Sequence, residues 1–206
     1  TGSAASINNS GSFLDQTAFN TSITNGQGGA ASTFANSGSY IKSGAGSTSI
    51  GINFVNTGSL SVEAGTLNLT SNSDQTGGSF NVANGATLNF SGGTHTLANN
   101  AAGPGTGQVQ ISGGTVNSTG NLALTGAFGI SGGVFNTNGS ASVASLALSG
   151  GSIGGTGSLT VNGDSSWTAG GMTGTGSTTF NGALAISGTS SRSITSRGVN
   201  LAGTTT

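Results

Sequence analysis

Apolar residues recur along this chain in short alternating pairs that are separated by polar or glycine-rich stretches. Leu60-Ser61-Val62 is followed by Leu67-Asn68-Leu69, and Phe80-Asn81-Val82 is followed by Leu88-Asn89-Phe90. A period of two residues predicts β-strands with one buried face, because successive side chains of a strand point to opposite sides. No apolar set recurs at helical spacing, and Gly, Ser, Thr and Asn are poor helix formers, so the pattern predicts an all-β fold.

The alternating pairs belong to a longer repeat. An apolar residue, any residue, a second apolar residue and Ser-Gly-Gly return at intervals of 18–21 residues from residue 88 onward, with weaker copies at 167–171 and 184–188. A fixed period of this length is the signature of a solenoid. We take as structural repeat positions the apolar residues Phe90, Ile111, Ile130, Leu148, Trp167 and Ile186 and the glycines Gly92, Gly113, Gly132, Gly150, Gly170 and Gly188.

A related unit precedes this series. Asn, Ser or Thr, Gly, Ser and an apolar residue occur at 9–13, 36–40 and 56–60, so the first step is longer than the second. We therefore predict one domain over residues 1–206, with a less regular turn at 1–32, an insertion at 21–31, regular turns at 33–206 and a second irregularity at 99–107. Gly-Gly and Asn-Gly pairs are expected to form corners with positive φ, the latter at Gly85, Gly139, Gly163 and Gly182.

One repeat cannot bury its apolar face alone, so the chain is expected to coil and stack each turn on the previous one. The predicted fold is a right-handed parallel β-helix, the hand following the bias of parallel crossovers. About ten turns would build a rod of roughly 50 Å. Uncovered end turns would expose unpaired backbone groups, so we expect the full protein to continue or to be capped beyond both termini.

The phrases at 65–69, 78–82, 85–90 and 112–116 resemble the β-strand repeats of large bacterial exoproteins. These include filamentous-haemagglutinin-like adhesins of two-partner secretion systems and autotransporter passengers. The resemblance covers about residues 33–190 and implies a secreted or surface-anchored rod that presents adhesive tips or loops. It adds support for the right-handed β-helix.

Composition excludes several functions. Lys and Arg total 3, Asp and Glu total 4, and charged residues make up 3% of the chain, so there is no basic face for nucleic acid or for an anionic membrane surface. No apolar run is long enough for a membrane-spanning helix. The absence of Cys excludes disulfides and Cys-based zinc sites. Together with the scarcity of Lys, it favours an extracellular or bacterial cell-surface location for this piece of an exported protein.

The few chemically active residues do not predict catalysis, a metal site or a cofactor. The carboxylates are Asp15, Glu63, Asp74 and Asp164, and a glycosidase needs two of them facing each other. Glu63 lies at a strand end and Asp74 in a polar loop, so we read both as solvated. His95 occupies a position that is apolar in other turns, which predicts a partly buried imidazole bonded to a neighbouring turn.

Trp167 and Tyr40 are read as inward packing residues, because each aligns with apolar residues of other turns. The expected function is a non-catalytic structural or adhesive rod. The alternatives are a filament subunit that pairs end to end through open turns, and a module that recognises glycans or a host or neighbouring cell surface; an enzyme is a more distant possibility.

Overall fold

The computed structural model of the chain describes residues 2–26, 29–98 and 105–203, and every regular element in these ranges is a β-strand. All pairings between the described strands are parallel, and the strands stack turn upon turn as a β-solenoid. Within the described ranges no helix is long and apolar enough to cross a membrane. The all-β parallel solenoid predicted from the repeat is confirmed.

Each turn contributes up to three strands, which form three faces of the rod. The strands are β1 Ser6–Asn9, β2 Ser12–Asp15, β3 Thr21–Ile23, β4 Thr33–Asn36, β5 Ser39–Lys42, β6 Ser47–Ile50, β7 Asn53–Asn56, β8 Ser59–Val62, β9 Thr66–Leu69, β10 Ser73–Gln75, β11 Ser79–Val82, β12 Thr87–Phe90, β13 Thr94–Leu97, β14 Gln108–Ile111, β15 Thr115–Ser118, β16 Asn121–Ile130, β17 Val134–Thr137, β18 Ser140–Gly154, β19 Ser158–Val161, β20 Ser165–Thr173, β21 Ser177–Phe180, β22 Leu184–Ile186, β23 Arg192–Thr195 and β24 Gly198–Leu201. Long strands β16, β18 and β20 bend around corners and serve two or three faces in succession.

The first face shows the period of the solenoid directly. It runs through β1, β4, β7, β10, β13, β15, β17, the ends of β18 and β20, and β23. The first turn spans 27 residues, because Ile7 pairs with Phe34. Eight regular turns of 18 to 22 residues follow, so the rod is somewhat shorter than the predicted ten turns.

The extra residues of the first turn lie between β3 and β4, inside the predicted insertion at 21–31. Thr21–Ile23 is a strand that pairs with β6, which corrects the loop prediction for those three residues. Residues 27 and 28 lie outside the described ranges, as do 99–104 of the second predicted irregularity. Gly107 belongs to the stack: its backbone N donates to the Val82 carbonyl at 2.9 Å.

The interior is one continuous column of apolar side chains. The alternation seen in the sequence places every second residue of a strand inside, as in β9, where Leu67 and Leu69 are buried and the other two residues are half-buried. Aromatic rings concentrate near the first turns, where Phe13 stacks on Tyr40 with ring centroids 5.1 Å apart. Phe34 meets the edge of Tyr40 at 5.6 Å. These stacked side chains supply the apolar burial that a single turn lacks.

The prediction of positive-φ corners is confirmed for the Gly-Gly pairs of the repeat and is wrong for most Asn-Gly pairs. In four Ser-Gly-Gly copies the second glycine has positive φ, as at Gly114 with φ 68°. The first glycine of these copies, the repeat position chosen from the sequence, does not: Gly92, Gly113, Gly132 and Gly150. In the two weaker copies the repeat positions Gly170 and Gly188 do have positive φ. Among the Asn-Gly corners only Gly85 has positive φ, so the prediction was wrong for Gly139, Gly163 and Gly182. Those three need glycine because a Cβ would collide with the backbone of the previous turn, at 2.3 Å for Gly139.

Replacing Gly114 with Ala is expected to lower the free energy of unfolding by about 1–3 kcal/mol, from backbone strain at positive φ. The added Cβ would also lie 2.4 Å from the Gly93 carbonyl oxygen of the turn below. Gly11→Ala is the control, because a Cβ there meets nothing within 4 Å. Urea unfolding of both variants checks this, and equal midpoints would contradict it.

Candidate functional site

The apolar residues chosen from the repeat lie on one line of the interior, with one exception. Phe90, Ile111, Ile130, Leu148 and Trp167 are buried on the third face, which runs through β9, β12, β14 and parts of β16, β18 and β20, and they pair in register from turn to turn. Ile186 continues the register above Trp167, but it is 44% exposed because β22 belongs to the last turn described on this face. Trp167 points inward, and its Nε1 donates to the Gly170 carbonyl at 3.3 Å.

The four carboxylates are dispersed. Glu63 and Asp164 are exposed, and Asp164 accepts a hydrogen bond from the Ala183 backbone N at 3.0 Å. Asp74 is not in a loop as predicted: it lies on the outer surface of β10, where it accepts from the Thr76 backbone N. In the described ranges no group of three or more His, Asp or Glu residues is placed to hold a metal ion.

Asp15 is the only buried carboxylate of the described chain, at the open first turn. The Tyr40 hydroxyl donates to its Oδ2 at 3.0 Å, and the Thr17 hydroxyl donates to Oδ1 at 2.8 Å. Burial by itself raises the pKa of the Asp15 carboxyl, but hydrogen bonds from Thr48, Thr17 and Tyr40 outweigh it, so the pKa lies below its usual value. Burial and the neighbouring Asp15 charge raise the pKa of the Tyr40 hydroxyl.

Lys42 lies inside the rod, in register with Asp15 of the turn below and Val62 of the turn above. Its Nζ donates to the Gly44 carbonyl. The hydrogen bonds that the structure shows for Lys42 and for the Asp15 carboxylate are therefore with uncharged partners. A cavity of about 230 Å³ opens from this cluster to the end of the rod.

His95 occupies the interior position that the repeat assigned to it. It pairs in register with Val116 above and Ser73 below, and its exposed fraction is 0%. Nδ1 lies 2.8 Å from the Ser73 hydroxyl, and the ring packs on Phe90 with centroids 4.7 Å apart. Nε2 has no hydrogen-bond partner among the described residues. Burial lowers the pKa of the imidazole to about 4, and a backbone contact with Gly92 opposes this only partly.

A shallow groove of about 390 Å³ lies outside the Ser73 and His95 pair. Its walls are uncharged except for Asp74, and they include Asn53, Asn72 and Thr94. Ser73 lines the groove, but it is buried and its hydroxyl is directed to His95. An imidazole whose pKa is lowered to about 4 is a weak base at neutral pH. In addition, no described carboxylate bonds to Nε2 to orient the ring, as a nucleophilic site would require. The arrangement is therefore a core hydrogen bond and lacks the parts of a nucleophilic site.

A ladder of amides runs along the corner between the first face and the second face, which is formed in the early turns by β2, β5, β8 and β11. Asn9 Nδ2 donates to Asn36 Oδ1 at 2.6 Å, Asn36 Nδ2 to Asn56 Oδ1 at 2.7 Å, and Asn56 Nδ2 to Gln75 Oε1 at 2.8 Å. Each Asn also donates to a backbone carbonyl of the next turn, as from Asn56 to Ser79 at 3.1 Å. The ladder thus joins four successive turns through polar contacts inside the rod.

The same corner is closed differently near the other end. Gly155 and Gly174 follow Ser118 and Thr137 along this corner, and Arg197 of the next turn reaches the backbone there, with Nη1 3.4 Å from the Gly155 carbonyl oxygen. Its guanidinium is buried and donates to Thr178 Oγ1 at 2.7 Å and to the Ser177 and Gly154 carbonyls at 2.8 and 3.1 Å. Burial lowers the pKa of this group. Nothing in the sequence indicated that Arg197 and Lys42 are buried.

Replacing Arg197 with Met is expected to cost about 2–3 kcal/mol of unfolding free energy, because several buried acceptors lose a charged donor. Arg192→Met is the matched control. Arg192 also donates to backbone carbonyls, including Trp167 O at 2.9 Å, but it is only half-buried, so water can replace it. Thermal unfolding of the two variants tests the difference, and an equal loss would show that the corner does not depend on the guanidinium.

Comparisons with family models, with curated proteins and with solved structures found no match for this chain.

Proposed function

We propose that this chain is a structural rod that holds other parts of an extracellular bacterial protein at a fixed spacing. The observation that carries the proposal is the use of its polar residues. Side chains that could do chemistry elsewhere are buried. Lys42 is bonded to the Gly44 carbonyl of its own turn, and His95 and Arg197 are bonded to neighbouring turns. Such contacts stiffen the stack along its axis, which is what a spacer requires.

The outer surface supports an extracellular setting. Its strands present mainly Ser, Thr and Asn, which hydrate the rod without charge, and the chain contains no Cys that oxidation could damage. Hydrogen bonds between turns also occur on the outer surface, where Asn181 Nδ2 donates to Asn162 Oδ1 at 3.2 Å.

A glycan-binding experiment separates the spacer from the adhesive alternative. The folded chain is immobilised and exposed to a panel of bacterial and host glycans, with Asp74→Ala as the groove variant and Asn162→Ala as the control outside the groove. The spacer proposal expects no saturable binding. Saturable binding that Asp74→Ala weakens and Asn162→Ala leaves unchanged would replace it with a binding module at the groove.

Exposed apolar residues in the first and last described turns favour end-to-end pairing as a second candidate. Phe19 and Leu14 at one end are 85% and 53% exposed, and Ile194 and Leu201 at the other are 53% and 48% exposed. Ile194 and Leu201 stand in register with buried Met172 and Phe180. A second copy stacked on either end would cover such residues and pair its open strands. Sedimentation of the chain beside an Ile194→Lys variant tests this: oligomers lost in the variant support pairing, and a monomer at all concentrations overturns it.

A further inference from the structure

The chain contains five Asn-Gly sequences, and the fold treats them unequally. In such a sequence the backbone nitrogen of Gly can attack the Asn side-chain carbon Cγ. Ammonia leaves, a five-membered succinimide forms, and water then opens the ring to Asp or to isoaspartate. The reaction needs a free side chain and a free backbone N–H that can approach each other. The five pairs are 25–26, 84–85, 138–139, 162–163 and 181–182.

Four of the five asparagines are held by hydrogen bonds. Asn25 Oδ1 accepts from the Ser32 hydroxyl at 2.8 Å, and Asn138 Oδ1 accepts from the Thr156 backbone N at 3.4 Å. Asn181 Nδ2 donates to Asn162 Oδ1 at 3.2 Å. Asn162 is the most constrained, because its Nδ2 also donates to the Ser142 hydroxyl and the following Gly163 N donates to the Ala144 carbonyl at 2.7 Å.

Asn84 differs from the other four. It is exposed, and neither its side chain nor the Gly85 backbone N–H has a hydrogen-bond partner among the described residues. Asn84 and Gly85 are the two central residues of a turn that is closed by a 3.0 Å hydrogen bond from the Ala86 backbone N to the Ala83 carbonyl. This bond uses neither the Asn84 side chain nor the Gly85 N–H. Gly85 has φ 80°, and a Cβ placed on it would meet no described residue within 4 Å, so no described neighbour shields this turn from water.

We propose that Asn84 is the site at which this protein undergoes spontaneous deamidation in the folded state. The product carries a new carboxylate on an exposed turn of a nearly uncharged rod, and it changes the formal net charge from −1 to −2. Isoaspartate also adds a methylene to the backbone of the 83–86 turn. The modification marks the time since synthesis, because no reactant other than water is consumed.

Incubation of the folded chain at mildly alkaline pH, followed by peptide mapping with mass spectrometry, tests the proposal. We expect conversion at Asn84 to be at least about tenfold faster than at Asn162, since breaking hydrogen bonds worth about 1.4 kcal/mol lowers a rate tenfold. Isoelectric focusing should show one acidic species growing at the same rate. Asn84→Gln should abolish that species, because Gln would have to form a larger ring, and Asn162→Gln should leave it unchanged.

The same incubation in denaturant separates the fold's effect from the dipeptide's. There the five sites should react at similar rates, since the hydrogen bonds that protect four of them are lost. The proposal is overturned if another Asn-Gly pair reacts first in the folded chain, or if the folded chain modifies all five at comparable rates.

Discussion

Replacing Asn56 with Ala is expected to lower the free energy of unfolding by about 3 kcal/mol or more, because each buried polar group left unsatisfied costs about 1–3 kcal/mol. Asn56 is fully buried, and its Nδ2 is the donor to both Gln75 Oε1 and the Ser79 carbonyl. Its Oδ1 accepts from Asn36. The substitution therefore interrupts the ladder at its centre and leaves a cavity. The midpoint and slope of urea unfolding measure the loss.

Asn162→Ala is the matched control for this prediction. Asn162 also belongs to an inter-turn ladder, through Ser142 and Asn181, but it is exposed, so water can satisfy the partners it leaves. Its cost is expected to stay within about 0.5–1 kcal/mol. A loss at Asn56 no larger than that at Asn162 would mean that the buried amides do not hold the turns together.

Stability is expected to fall as the pH drops from 6.5 to about 4, because of His95. The imidazole has an ordinary pKa of 6.5 when unfolded and a pKa of about 4 inside the rod. The unfolded chain therefore binds a proton in this range that the folded chain does not, so acid favours unfolding. This pKa difference corresponds to roughly 3 kcal/mol of unfolding free energy. The contribution is fully present above pH 6.5 and is lost by about pH 4.

Two variants isolate the contribution of His95. His95→Leu should unfold with little pH dependence between 6.5 and 4.5, a range above the ordinary Asp pKa, whereas Ser73→Ala should keep the dependence of the parent chain. Asp74 is the nearest titratable group on the adjoining strands, and it lies on the outer surface with its carboxylate bonded to Thr76. Chemical denaturation across this pH range measures the effect. If the unfolding free energy of His95→Leu falls with pH as steeply as that of the parent chain, the acid sensitivity belongs to another group.

The strand pattern and the repeat could be predicted because they are local properties. Alternation along a strand fixes which side chains point inward, and the period aligns them, so the interior places of Tyr40, His95 and Trp167 follow from the sequence. The apolar column needs no more information than this.

The polar interior could not be predicted in the same way. Whether Asn36 or Asn56 points inward depends on partners one turn away, and Asn is usually found at corners and on surfaces. A signal was present, since the same residue type returns at the same place in three successive turns. Arg197 gave no such signal: its guanidinium is held by backbone carbonyls of earlier turns, including those of Gly154 and Gly155, which only the stacked structure brings together.

The most direct test of the stacked rod is a pair of distances measured between spin labels on one face. The chain has no Cys, so Thr33→Cys with Ser193→Cys introduces the only two thiols, eight turns apart on the first face. We expect a narrow distribution centred at roughly 40 Å, and about half that distance for Thr33→Cys with Thr115→Cys, four turns apart. Broad distributions, or distances that do not scale with the number of turns, would contradict a rigid parallel solenoid.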